Sequence, residues 1–213
     1  MPSTSPARIS VWSDYVCPFC YLELPVLDRL QAEHAEEVEI DWRAFELRPE
    51  PAPTLAPNAD YLHRVWNQSV YPMAEQRGMV LRLPPVQPRS RKAFEAAEFA
   101  REVGRFDPMN RALFKAFFED GQDLANVDIL LGVGRSVGLD AEALHQALCE
   151  GRHTSKVLAD QQLAREIGIS GVPALLINIG ERGILISGAQ PYEVVERALE
   201  QAWSQHELSP SRV

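Results

Sequence analysis

Apolar residues open the chain in a strand pattern, Ala7 to Trp12 running through Ile9 and Val11 before the turn residues Ser13 and Asp14. The period then becomes helical, with Phe19, Leu22, Val26, Leu27 and Leu30 recurring on one face. Pro25 falls inside that run. Lacking an N–H, it frees the carbonyl of Tyr21 and predicts a bend in a helix that continues to Leu30. From Val38 to Phe45 the pattern alternates, with Val38, Ile40, Trp42 and Ala44 on one face and Glu39, Asp41, Arg43 and Phe45 on the other. A wet polar face predicts a strand at or near a sheet edge. Strand, helix and strand at this spacing predict a right-handed parallel βαβ unit.

Pro49, Pro51, Pro53 and Pro57 then interrupt regular structure and read as a connector into an insertion. Helical periods follow over Asp60 to Val70, Ser90 to Val103, Pro108 to Asp120, Val127 to Val137, Ala141 to Glu150 and Ser155 to Ile167. Gly104, Gly121, Gly138, Gly151 and Gly168 mark their ends; Asp107-Pro108, Asn126, Asp140 and Thr154 mark their starts. Leu81 to Pro88 is a non-helical interruption. Strand signals resume at Ala174 to Ile179, a turn over Gly180 to Gly183 returns Ile184 to Ser187 as a hairpin, and Pro191 opens a last amphipathic helix. The tail from Glu207 is polar and predicted to fray. The order predicts an α/β chain whose first and last parts share one sheet: residues 1–56 and 155–213 as a split domain, and 57–154 as an inserted all-helical one.

Composition narrows the classes. The chain has 213 residues, 46% of them apolar and 24% charged, an ordinary balance for a folded domain with a full core. A net charge of −9 argues against nucleic acid, whose phosphates need clustered Lys and Arg. No apolar run reaches membrane-spanning length, and Met1 to Arg8 offers none that could act as a signal peptide, so the expected location is the cytoplasm, with no membrane partner.

The chemistry concentrates in Ser13-Asp14-Tyr15-Val16-Cys17-Pro18-Phe19-Cys20, where a strand runs into two thiols on one helical turn, close enough for a low-strain disulfide. Pro18 suits the first helical position and so places Cys17 at the helix N-terminus, beside unpaired N–H groups that favour thiolate over thiol. Cys17 is the expected nucleophile. Cys20, one turn inside, is less accessible and suits attack on a mixed disulfide. A zinc site would need two further ligands, and Cys149 and the five histidines form no second paired motif, so neither metal nor cofactor is expected. A structural disulfide here would close too small a loop to stabilise much. Leu144, Ala147 and Leu148 predict a half-buried or core-facing Cys149, and His145 and His153 are expected at the surface.

With these motifs placed, the chain resembles the thioredoxin superfamily, specifically its DsbA-like branch with a helical insertion, and within that the FrnE-like group. The resemblance rests on Ser13 to Tyr21, Trp42 to Leu47, Gly168 to Pro173 and Ser187 to Gln190, which bracket nearly the whole chain. It implies a thioredoxin fold, a cis bond before Pro173, and Pro173 and Val172 set against the cysteine pair, where an extended substrate could pair with Val172. Pro18, Phe19, Val172 and Pro173 are then the substrate-binding residues, and Cys17 and Cys20 the catalytic pair. Phe19 stands where the exported type protein has histidine, which points away from strong oxidase activity. No second paired-cysteine motif follows, so a two-motif relay is excluded.

The expected function is thiol:disulfide exchange between the Cys17–Cys20 couple and protein or small-thiol substrates, glutathione among them. One alternative is a glutathione-dependent isomerase or transferase of the kappa-class or hydroxychromene-carboxylate isomerase kind. There a serine usually replaces the first cysteine. Another is a redox-inactive binding or chaperone module.

Overall fold

In the computed structural model, which describes residues 6–179 and 182–207, β1 (Ala7–Ser13) lies inside the sheet and is buried at every position but Arg8. It pairs in parallel with β2 (Val38–Ala44), setting Ile9 opposite Ile40, and antiparallel with β3 (Ala174–Ile179), setting Ile9 opposite Ile177. β4 (Arg182–Ser187) adds antiparallel to β3, so the order is β2-β1-β3-β4 and β2 is an edge. Ile179 pairs with Arg182, so β4 starts two residues before the predicted Ile184; residues 180–181 and the tail past Glu207 lie outside the described residues.

α1 (Pro18–Glu33) and α9 (Tyr192–Glu207) cover one face of the sheet. Ile9, Val11, Leu175 and Ile177 meet Val26, Leu27 and Leu30 of α1 and Val195 and Leu199 of α9 there. Each fully buried side chain of this kind contributes about 2 kcal/mol through the apolar surface it removes from water. α1 continues through Pro25, as the apolar period to Leu30 requires.

The inserted block opens on one helical run made of α2 (Asp60–Val65), a π turn (Trp66–Val70) and α3 (Tyr71–Gln76). The helix therefore runs past the predicted end at Val70. Pro72 sits in the first turn of α3, directly after the π turn. α4 (Arg91–Glu102), α5 (Phe106–Phe118), α6 (Val127–Ser136) and α7 (Ala141–Glu150) follow. Asn126 and Asp140 cap α6 and α7 through side-chain bonds to Asp128 N–H and to Glu142 and Ala143 N–H. Asp107 and Pro108 lie inside the first turn of α5 rather than before it, a position where proline removes no helical bond.

α8 (Thr154–Glu166) covers the other face of the sheet. Thr154 is its first residue, not its cap, and its hydroxyl donates to Glu95 at 2.6 Å. α8 overturns the expectation of a wet face on β2. Arg43 donates to Asp160 at 3.0 Å and to Asp41 at 2.7 Å, while Phe45 is buried with Trp12, Ala164 and Ile169. Pairing the charges lets a polar stripe sit beneath a helix. Asp160 also accepts from Ala44 N–H at 3.3 Å and from Lys156 at 2.5 Å, and its carbonyl accepts from Trp12 Nε1 at 3.0 Å.

Asp160→Ala leaves Arg43 without its buried partner and should lower the unfolding free energy by about 3 kcal/mol in chemical denaturation. Glu39→Ala, which removes the surface pair with Arg8, should change it by less than about 0.5 kcal/mol. Equal effects would mean that the Asp160 cluster contributes no more than a solvated pair.

Candidate active site

β1 ends at Ser13 and the next turn of chain delivers Cys17 as the N-cap of α1, with Pro18 in the first turn. Asp14 organises this connection. Its carboxylate accepts from Val16 N–H at 3.3 Å and from Leu47 N–H at 2.7 Å, which ties the cysteine loop to the chain leaving β2. Cys17 N–H donates to the Asp14 carbonyl at 3.0 Å, and Asp14 N–H donates to Cys20 Sγ at 3.5 Å. Beneath the loop, Tyr15 packs its ring 4.9 Å from Phe94 and 5.0 Å from Phe114.

All three cysteines are free thiols. Cys17 and Cys20 are 4% and 1% exposed. Burial pushes the Cys20 thiol up, contact with Cys17 adds to this, and hydrogen bonds from Asp14 N–H and the Ser13 hydroxyl only partly offset it. Cys20 is therefore held as thiol, a poor initiator of exchange. Cys17 differs in its outlook: its Sγ donates to the Val172 carbonyl at 3.5 Å and borders a cavity of about 270 Å³. The Val172–Pro173 bond is cis, as is Glu50–Pro51 in the proline connector, which carried no such expectation. Pro18, Phe19 and Val172 line the cavity and are half-buried; Pro173 is buried just behind. The six residues singled out in the sequence thus come together.

The remaining walls were not legible. Leu47, Arg48, Thr54 and Leu55 come from the proline connector, Tyr61, Leu62, Val65 and Trp66 from α2 and the π turn, Pro84, Gln87 and Pro88 from the next loop, and Phe117 and Phe118 from the end of α5. No motif marks them, since only the packing of the inserted helices against the cysteine loop brings them there. The clustered prolines were the one available signal.

A second buried carboxylate lies one turn beyond Cys20. Glu23 accepts from Arg77 at 2.8 Å, and Arg77 also donates to the carbonyls of Leu22 and of Gln190, the latter at 2.7 Å. Burial raises Glu23 to about 7, opposed chiefly by the Arg77 bond. Two sequence expectations fail nearby. Cys149 is exposed, with Sγ 3.5 Å from Nε2 of His145, because α7 buries Leu144, Ala147 and Leu148 on its other side. His153 is buried, where its ring meets Phe99 edge-on at the start of α8. Among the described residues, Glu33, His34 and Glu196 bring ligand-type atoms within 4.8 Å of one another, but Glu33 is already engaged by Arg29 and Tyr192. No helix of the described residues is long and apolar enough to cross a membrane.

Burial raises Asp14 from 3.8 to about 6, against the opposing pull of its bonds from Leu47, Ser90 and Val16. Between those two values the folded chain keeps a proton that the unfolded chain has released, so stability falls as pH rises through that window, by on the order of 3 kcal/mol. Asp14→Asn cannot titrate. Its stability relative to the unsubstituted chain should rise from about pH 4 to about pH 7 in parallel denaturation series, and parallel curves would place Asp14 at its ordinary value.

The model of the family described as DSBA-like thioredoxin domain matches residues 8–200. The protein YwbO of Bacillus subtilis is 36% identical over 197 residues, 90% of this chain and 95% of its own. Among solved structures, the probable DsbA oxidoreductase SCO1869 of Streptomyces coelicolor superposes with a TM-score of 0.80 at 26% identity, covering 97% of this chain and 93% of its own. A 2-hydroxychromene-2-carboxylate isomerase shares the fold at a TM-score of 0.76 and 18% identity, covering 95% and 99%.

Proposed function

The chain belongs to the DSBA-like thioredoxin domain family, and from that premise we propose that it is a thiol:disulfide oxidoreductase working through Cys17 and Cys20. Cys17 attacks a substrate disulfide and forms a mixed disulfide while the leaving thiolate takes a proton. Cys20 then attacks the Cys17 sulfur, closes the intramolecular disulfide and releases the second substrate thiol. Two electrons pass from the dithiol to the substrate, and the reverse sequence oxidises a dithiol. The observation that carries this reading is the difference between the two thiols: Cys17 caps a helix at the edge of a cavity, and Cys20 is buried one turn inside. Pro18, Phe19, Val172 and Pro173 surround the mixed disulfide in this scheme, and the substrates are protein or small thiols and disulfides, glutathione included. The cytoplasm is the compartment that suits a couple lacking a positive neighbour between its cysteines.

An isomerase or transferase acting through bound glutathione would need only the first position, whereas both thiols are present here and set at different depths. Insulin reduction measured on the intact chain, C17S and C20S separates the readings. Both substitutions should abolish turnover, and C20S alone should accumulate a mixed disulfide through Cys17, visible by mass spectrometry as an adduct that dithiothreitol removes. Glutathione-dependent activity surviving in C20S would favour the isomerase reading. Binding of a protein partner unchanged in C17S, without insulin reduction by the intact chain, would favour a redox-inactive module.

Phe19 brings no positive charge to the couple. Phe19→His should stabilise the reduced pair and raise the reduction potential, by about 30 mV for each tenfold change in the equilibrium constant with a reference dithiol. Redox titration of both proteins against glutathione checks this. An unchanged or lower potential in F19H would show that the residue between Pro18 and Cys20 does not set the poise.

A further inference from the structure

The cavity beside Cys17 has a lining that limits what can bring a disulfide to it. Phe19, Tyr61, Trp66, Phe117 and Phe118 contribute five aromatic rings, and among the described residues no acidic side chain borders it and Arg48 is its one charged residue. That side chain is exposed, and its guanidinium has no hydrogen bond or ion pair among the described residues, although its carbonyl accepts from Arg89 at 2.9 Å. An unpaired cation in a chain of net charge −9, at the rim of a largely apolar hollow beside the reacting sulfur, complements a carboxylate on an apolar body. At about 270 Å³ the cavity lies just below the range of small-molecule sites, roughly 300–1,000 Å³, and matches a single ring system. Glutathione fits this chemistry poorly: it carries two carboxylates and an ammonium, and the lining provides one cation and no anion.

We propose that the preferred substrate is a low-molecular-weight disulfide bearing an aromatic or branched apolar group and a carboxylate, the apolar group filling the cavity and the carboxylate meeting Arg48. This rests on the oxidoreductase reading and narrows it. In the forward step the Cys17 thiolate displaces one arylthiolate from R–S–S–R, Cys20 displaces the second from Cys17, the two thiol protons pass to the two leaving thiolates, and the products are two R–SH and the Cys17–Cys20 disulfide. One turnover needs no other reductant than the reduced protein itself.

Single-turnover oxidation of the reduced chain by dithiodibenzoate, dithiodianiline and glutathione disulfide tests this, each rate being divided by that of the same disulfide with free dithiothreitol to remove intrinsic reactivity. Dithiodibenzoate should lead glutathione disulfide by about tenfold or more, the scale on which an apolar pocket discriminates. It should lead dithiodianiline, which has the ring but no carboxylate, by about threefold, the scale of one solvated ion pair. Arg48→Glu should abolish or reverse the second preference, and Val65→Phe, which narrows the cavity, should shrink the first. Glutathione disulfide leading, or an Arg48→Glu chain with the original dithiodibenzoate-to-dithiodianiline ratio, overturns the proposal while leaving the oxidoreductase reading intact. No exchange with any of the three overturns both.

Discussion

α1 is shared between two cores, and the site depends on that division. Its first turns send Cys20, Tyr21, Leu22 and Leu24 into the core built by the inserted helices, while Val26, Leu27 and Leu30 go into the core beneath the sheet. From Cys20 to Leu24 the helix is consequently buried at every position, Glu23 included. A helix held this way cannot rotate or slide without opening one of two close-packed interiors. Its N-terminus is thereby fixed, and Cys17 with it, at the seam where the helical block meets the sheet. The cavity lies at the same seam, walled by the cysteine turn and Val172 on one side and by α2, the π turn and the end of α5 on the other.

Buried carboxylates hold the seam together, and each does so through a partner from a different part of the chain. Asp14 joins the cysteine loop to Leu47, Glu23 joins α1 to Arg77 after α3, and Glu46 takes Arg91 of α4 at 2.5 Å while its backbone exchanges bonds with Gln161 of α8. Arg101 clasps Glu98 along α4 and reaches the Trp42 carbonyl of β2 at 3.0 Å. Burying these charges opposes folding, and only the right partners offset it. Such links therefore penalise alternative arrangements of the helical block more than they stabilise the native one relative to the unfolded chain. Asp14 and Glu23, whose carboxyls burial raises most clearly, flank the cysteine pair along the chain.

Periodicity made the elements legible wherever one element decides its own pattern. The strand at β2 and its edge position, the caps at Asn126 and Asp140 and the apolar run to Leu30 on either side of Pro25 all correspond to what is observed, because each reflects a local bond or a local pattern. The failures have other causes. The polar face of β2 and the burial of His153 are settled by a neighbour remote in sequence, Asp160 for Arg43 and Phe99 for His153, while Cys149 lies on the side of α7 away from Leu144, Ala147 and Leu148. Proline misled at Pro108, because its cost in a first turn is small and the pattern cannot show where in that turn it stands. In the site, the cysteines and the Val172–Pro173 segment carry chemistry visible in single residues. The cavity walls carry only shape, which no spacing encodes.

Phe19 connects these two kinds of information. Its place between the cysteines puts it where charge acts on the redox couple, and its side chain is also a wall of the cavity. A positive residue there would pull the couple toward the reduced form and at the same time put a hydrated group against aromatic walls. An apolar residue does the reverse, exerting no such pull and keeping its part of the wall apolar. In the proposed function, redox poise and substrate fit meet in this one side chain, and a change made for one then alters the other. Arg48, an exposed residue of the same lining but away from the cysteine turn, contributes its charge to the cavity without placing it between the thiols.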